Sequence, residues 1–336
     1  MHGETMPGDM TAAVQRLFDK TIVWDAHAGF APSPKVDLSR MQLWKDAGVD
    51  YLSINVGYDV MDWRDTLKAL AYVRRWVQQA PGYRLVRTVE EIAEAKAAGE
   101  LAVTFDLEGM NALDGSVDMV ELYHSLGVRQ MLFAYNKNNL AGGGCHDRDI
   151  GITAFGRAVV GEMNRLGMVV DLSHTSYRTT MDALEVSRDP CIYSHSNPRA
   201  LRDHERNIRD EQAKACAAKG GVIGVNGIGI FLGDNDIRTT TLAEHVDHWV
   251  QLVGAAHVGL GLDYAIESED EGLAALLVTK RDYWPKRQYD YDRVDCVHPR
   301  QIAELAEELL RRQYREEDVA GILGGNFLRI AKQVWK

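Results

Sequence analysis

Short apolar runs recur along the chain and alternate with segments of helical period. The runs lie at 21–27 (TIVWDAH), 51–56, 101–107, 129–134, 169–170, 191–193, 221–225 and 258–262. Runs of this length, several rich in β-branched residues, suit parallel strands covered on both faces. Between them, helical spacing predicts helices over 10–20, 37–47, 62–79, 117–126, 153–166, 176–187, 210–219 and 241–253. In 62–79, Leu67, Leu70, Val73 and Trp76 form one apolar stripe. Thr88 with Glu91 and Thr241 with Glu244 have capping-box spacing, Ser176 suits an N-cap, and Gly167 closes the helix before it. A short extra strand is expected at 83–86, and helical segments at 299–312, 316–323 and 326–335 end the chain.

Eight strand–helix units point to a closed (β/α)8 TIM barrel, whose active site forms at the C-terminal ends of the strands. An open doubly wound sheet is the alternative. The 336 residues are read as one domain. The stretch 265–299, with its ESEDE, DYW and YDYD segments, is long for a barrel connection. It suits a lid over the mouth, or else a disordered surface insertion.

The strand ends carry the chemistry. On the barrel reading His27, Glu108, Tyr135, His174, His195, Asn226 and Asp263 converge on one mouth. Either of His174 and His195 alone could be a hydrogen-bonded strand terminus. Side by side on successive strands, and joined by Glu108, they suit zinc or a similar divalent ion. Water activated by such an ion attacks carbonyl groups, and Asp263 is placed to take and return the proton. Other polar residues have plainer readings. His245 and His248 suit a packed or solvated helix face beside Trp249, His124 and His298 the surface, and Asp25 the orientation of its neighbours. His146, beside Cys145 in a glycine-rich loop, is a weak metal candidate set aside here.

Composition narrows the partners. A formal charge of −11 and a pI near 5.5, with no clustered Lys/Arg footprint, argue against a nucleic-acid surface and for a small-molecule substrate. Hydrophobic residues at 46% supply a sizeable core. Cys145, Cys191, Cys216 and Cys296 show no CxxC spacing, as expected for reduced thiols in a cytoplasmic protein. Residues 1–20 include Glu4 and Asp9 and lack a continuous apolar stretch, and no apolar run is long enough to span a bilayer. The expectation is a protein neither exported nor membrane-bound.

The segments NRLGMVVDLSH, YSHSNPRAL, HVGLGLDY and GGNFLRI, in this order and spacing, resemble the membrane dipeptidase (renal dipeptidase) family of zinc hydrolases, within the amidohydrolase superfamily. The likeness runs over about residues 15–333. It implies that Glu108 bridges two zinc ions and that His174 and His195 complete one site. It also implies that Asp263 handles the proton, that Arg206 in DHERNI holds the substrate's carboxylate, and that the chain forms a homodimer. Two positions depart from the family. DAHAG keeps His27 but has Gly29 where the family has a metal-binding aspartate, which leaves that ion His27 and Glu108 alone; one tight zinc and a doubtful second are expected. Tyr135 stands where a substrate-binding histidine is common, and it can donate a hydrogen bond but not become cationic. The resemblance therefore implies metal-dependent hydrolysis of dipeptides or related acyl-amino acids. The alternatives are a single-metal amidohydrolase of a non-peptide or biosynthetic substrate and a non-catalytic homologue.

Overall fold

The computed structural model describes residues 10–266 and 273–336. Residues 1–9, with Glu4 and Asp9, lie outside it, as do residues 267–272 of the long connection. Eight parallel strands run in chain order around the sheet: Trp24–Ala28, Tyr51–Tyr58, Leu101–Glu108, Val128–Leu132, Val169–Asp171, Ile192–Tyr193, Val222–Val225 and Val258–Leu260. Backbone bonds join the eighth strand back to the first. Asp263 N–H donates to the His27 carbonyl (3.0 Å), Gly29 N–H to that of Tyr264 (3.2 Å), and Phe30 bridges Ile266 in parallel. An open sheet would leave those groups at two unpaired edges. The ring is a (β/α)8 barrel.

Asp25 clasps the same seam, as its expected role of orienting neighbours requires. Its Oδ1 accepts from Leu262 N–H (2.9 Å) and its Oδ2 from the Trp44 indole (2.8 Å). The extra strand, Tyr83–Leu85, pairs with the first half of Leu101–Glu108, whose second half pairs with Val128–Leu132. Residues at the strand starts, among them Trp24, Tyr51, Val169, Ile192 and Val222, cluster with Phe327 and Val334 of the final helix, Asn326–Val334. That helix closes the lower end of the barrel. Gly324 lets the chain reach this position, since a Cβ there would collide with the Ile22 carbonyl.

Local rules hold where no stronger partner competes. The Thr88–Glu91 box forms, with both bonds at 3.4 Å. The Thr241–Glu244 box does not. That helix begins earlier, at Thr239, because Thr241 donates its hydroxyl to Asp236 (2.7 Å). Ser176 occupies the N-cap of Tyr177–Val186, but its hydroxyl serves the Ile150 carbonyl (3.1 Å). The segment 316–323 is helical as expected, α-helical over Glu316–Ala320 and continuing as a π-type stretch over Gly321–Gly325 that breaks at Gly324. All four cysteines are free, and no helix among the described residues is long and apolar enough to cross a membrane.

Candidate metal centre and active site

The strands stop short of the histidines they were expected to carry. Val169–Asp171 ends three residues before His174, and Ile192–Tyr193 two before His195. Both imidazoles still reach the mouth. His174 does so through a left-handed backbone (φ 62°), as do Asn136 (φ 61°) and Asp263 (φ 55°). Three such residues around one mouth store backbone strain of the kind found at functional sites. His195 is fixed differently. Gly224 in the seventh strand and Gly261 just past the eighth leave it room, since a Cβ at either would collide with the Ser194 carbonyl.

Three ligand atoms meet here. His174 Nε2 lies 3.1 Å from Glu108 Oε1 and 3.1 Å from His195 Nε2, and His195 Nε2 lies 3.5 Å from Glu108 Oε1. A tetrahedral ion with bonds of about 2.0–2.1 Å sets its ligands roughly 3.3 Å apart, so the trio fits one. Protonation agrees. His174 Nδ1 donates to the Asn136 amide oxygen (2.7 Å), which leaves its Nε2 lone pair turned to the cluster, and His195 Nδ1 meets the Ser194 hydroxyl (2.6 Å), which accepts when Nε2 carries the lone pair. Burial, then the positive charge of Arg206 and His27, holds the His174 pKa well below its usual range; burial, then His27 and Arg206, does the same for His195. Two imidazole nitrogens and one Glu108 oxygen converging on one point are the donor set of a divalent cation.

His27 belongs to a second, overlapping group with His195 and Asp263, in which its Nε2 lies 3.5 Å from Asp263 Oδ1. Glu108 Oε1 is 3.6 Å away. Asp263 thus joins the expected His27–Glu108 pair, its Oδ1 lying 3.2 Å from where a Cβ on Gly29 would stand. Burial opposes charge on His27, but Asp106 and then Glu108 raise its pKa well above the ordinary value. Burial, opposed by His27 and reinforced by Asp263 and Asp106, pushes Glu108 up to about 8.

Around this centre is a cavity of about 270 Å³ lined by Gly29, Glu108, Tyr135, His174 and Asp263 among others. Tyr135 stacks on His174 (4.3 Å between rings). Asn226 Nδ2 donates to Asp263 Oδ2 (2.9 Å), orienting that carboxylate. Arg206 is not among the lining residues. It is 2% exposed, donating to the His195 carbonyl (2.8 Å) and the Ser196 hydroxyl (3.2 Å), and its Nε has no partner. His146 ligates nothing here, since its ring bonds Glu205 and Tyr289, both at 2.9 Å. His245 is a buried helix residue bonded to the Leu232 carbonyl.

Sequence reasoning missed Asp106, Asn136, Ser194 and Asp59. Asp106 lies 3.2 Å from His27 Nδ1 and shares the Glu108 face of its strand by the two-residue period, a signal that was available. Asp59 accepts from Tyr135 N–H (3.0 Å), Asn111 N–H (2.9 Å) and the Asn139 amide (2.8 Å), although burial pushes its pKa up to about 7. Nothing in the sequence separated Asp59 from other loop acids.

A barrel with such a cluster at its mouth is the architecture of a metal-dependent hydrolase. The chain belongs to the membrane dipeptidase family (Peptidase family M19), whose model it matches over residues 10–279 and 289–336. It is 33% identical over 282 residues to an uncharacterized dipeptidase of Schizosaccharomyces pombe, covering 80% of this chain and 62% of that protein. It is 29% identical over 290 residues to Dipeptidase aclJ of Aspergillus oryzae, covering 83% and 63%. The chain thus spans about three fifths of these relatives. Among solved structures, an amidohydrolase from Pseudomonas aeruginosa superposes with a TM-score of 0.87 at 27% identity, covering 96% of this chain and 99% of that one. A metallo peptidase from Rhodobacter sphaeroides, liganded with a phosphinate mimic of L-Ala-D-Ala, does so at 0.75 and 20%, covering 94% and 100%.

Proposed function

We propose that this chain is a zinc-dependent hydrolase that cleaves the amide bond of dipeptides or related acyl-amino acids. The observation that carries the reading is the convergence of Glu108 Oε1, His174 Nε2 and His195 Nε2 at ion-binding separations beside a cavity at the barrel mouth. Membership in a dipeptidase family and the fold shared with a protein that holds a dipeptide mimic support the substrate class.

Glu108, His174 and His195 would hold the tight ion; His27 and Asp263, with the Glu108 carboxylate shared, offer a weaker place. Zinc bound there would supply Lewis acidity to polarise the scissile carbonyl and make water nucleophilic near neutral pH. Asp263, on the cavity wall and oriented by Asn226, takes the water's proton and returns it to the leaving amine. Tyr135 donates its phenolic hydrogen to the substrate. Arg206 we assign to the substrate's carboxylate and to positioning. Two of its five N–H donors are committed to the His195 carbonyl and the Ser196 hydroxyl, which fixes the His195 turn, while Nε and the remaining donors are left for a carboxylate, and its charge favours ionised Glu108. The segment 273–299 serves as the lid of a single domain, and the four free thiols suit a reducing, cytoplasmic setting.

Hydrolysis of a dipeptide library, with D-residues at the C-terminal position, by protein of known zinc content tests the reading. Zinc-dependent turnover lost to chelator and restored by zinc is expected, and no turnover with any divalent ion would refute it. Gly29 favours a second reading, a one-metal enzyme acting on a non-peptide amide, which hydrolysis confined to such amides would establish. Turnover of either kind eliminates a non-catalytic homologue.

A further inference from the structure

Part of the cavity wall is built from residues that hydrolysis does not need. Ile228, Ile230, Phe231, Leu277, Trp284 and Tyr289 form an apolar cluster apart from the barrel cores, each at most 6% exposed. All six line the 270 Å³ cavity onto which Glu108, His174 and Asp263 open. They come from two stretches of chain, one after the seventh strand and one in the long connection, so the cluster exists only where the connection folds back over the mouth.

The wall stands ready-made. Tyr289 is held through its hydroxyl by His146, itself tied to Glu205. Tyr283 donates to the Asp59 carbonyl (3.0 Å), and its own carbonyl accepts from Asn136 Nδ2 (3.0 Å). A ligand meeting this wall does not have to order it, so apolar burial is not offset by that entropy. The charges are one-sided. Among the described residues lining the cavity there is no Lys or Arg, and its two carboxylates are Glu108 and Asp263. Against the apolar wall, away from the metal centre, an acidic side chain would lose its hydration without gaining a counter-ion, whereas an apolar group gains by leaving water.

Resting on the hydrolase reading above, we propose that this cavity is a side-chain subsite that selects substrates with a large aromatic or branched apolar residue at the scissile amide. Trp284 and Leu277 are its specificity-determining residues. Their side chains touch that residue and take no part in the chemistry.

The zinc-loaded protein is assayed with Phe-Ala, Leu-Ala, Ala-Phe, Ala-Ala, Lys-Ala and Glu-Ala. The expected order is an apolar substrate over Ala-Ala by roughly tenfold or more in kcat/KM, with Glu-Ala lowest. Trp284→Ala and Leu277→Ala should each pull the apolar-to-alanine ratio towards one. The ratio is taken within one protein, so a loss of folded material cancels. Equal rates, a preference for Ala-Ala, Lys-Ala or Glu-Ala, or an apolar preference that survives both substitutions would overturn the subsite. Failure of the hydrolase reading is distinguishable, because calorimetry with N-acetyl-phenylalanine amide against N-acetyl-alanine amide reads the subsite without turnover. Equal affinity for the two overturns it; tighter binding of the phenylalanine amide, weakened by Trp284→Ala, supports it even in a protein that hydrolyses nothing.

Discussion

Gly29→Asp places a carboxylate just past the first strand, where the family resemblance implies a metal-binding aspartate. Gly29 follows His27 by two residues and lines the cavity, so its side chain would enter the site. A Cβ there would stand 3.2 Å from Asp263 Oδ1, 3.6 Å from Ala265 Cα and 3.8 Å from the Asp263 carbonyl oxygen. The backbone is not in the left-handed region, so the only steric demand is a shift of a few tenths of an ångström by Asp263. The electrostatic demand is larger. Two carboxylates about 4 Å apart repel by up to roughly 4 kcal/mol at an effective dielectric constant near 20. Asp263 is 18% exposed and either group can take up a proton, so about 1–3 kcal/mol of destabilisation is expected without metal. A second zinc held by His27, Asp263 and the shared Glu108 carboxylate would reverse the sign of that interaction. The variant should therefore melt below the parent when metal-free and gain more than the parent from added zinc. Elemental analysis after dialysis should rise from about one zinc per chain towards two. Two tightly held ions in the unmodified protein would show that the second site is already complete. A metal-free variant as stable as the parent would refute the placement of Asp263 beside residue 29.

Asp263→Asn should lower kcat by about 10²–10⁴-fold at unchanged zinc content, and asparagine tolerates the φ of 55° that the position requires. Steady-state kinetics at the parent rate would remove its proton-transfer role. Ser194→Ala deletes the hydroxyl at His195 Nδ1 and should weaken zinc by about 10–100-fold in a competition titration with a chelator. Equal affinities would mean that the hydroxyl does not set the tautomer. The bond from His146, and then that from Arg287, holds Glu205 at about 2, against an ordinary 4.5 and against the effect of burial. A depressed carboxylate contributes stability that is complete above about pH 4.5 and lost as pH falls towards 2. Glu205→Gln should therefore lower the melting temperature near neutral pH and flatten its decline over that acid window; parallel profiles for variant and parent would contradict this.

What the sequence determined by itself was whatever repeats locally. Apolar runs and helical stripes have periods of two and 3.6 residues, so the strand–helix alternation and the barrel were legible from neighbours alone. A polar residue ending a buried strand marks the mouth by the same logic, and His27, Glu108, Tyr135, His174, His195 and Asp263 do gather there. Tertiary structure decided the groupings among them. Glu108 and His195 are 87 positions apart in the chain, and their distance depends on strand stagger, left-handed turns and rotamers that no local pattern encodes. The Thr241 hydroxyl went to Asp236 because a partner outside the helix competed for it, and Arg206 turned inward because the His195 carbonyl needed a donor. The apolar wall is the clearest case. Leu277, Trp284 and Tyr289 lie in an acidic, aromatic stretch without strand or helix period over most of its length, and they become a subsite only because folding brings them against Ile228 and Phe231. Periodicity is a property of neighbours along the chain, whereas a site depends on atoms that only the closed fold brings together.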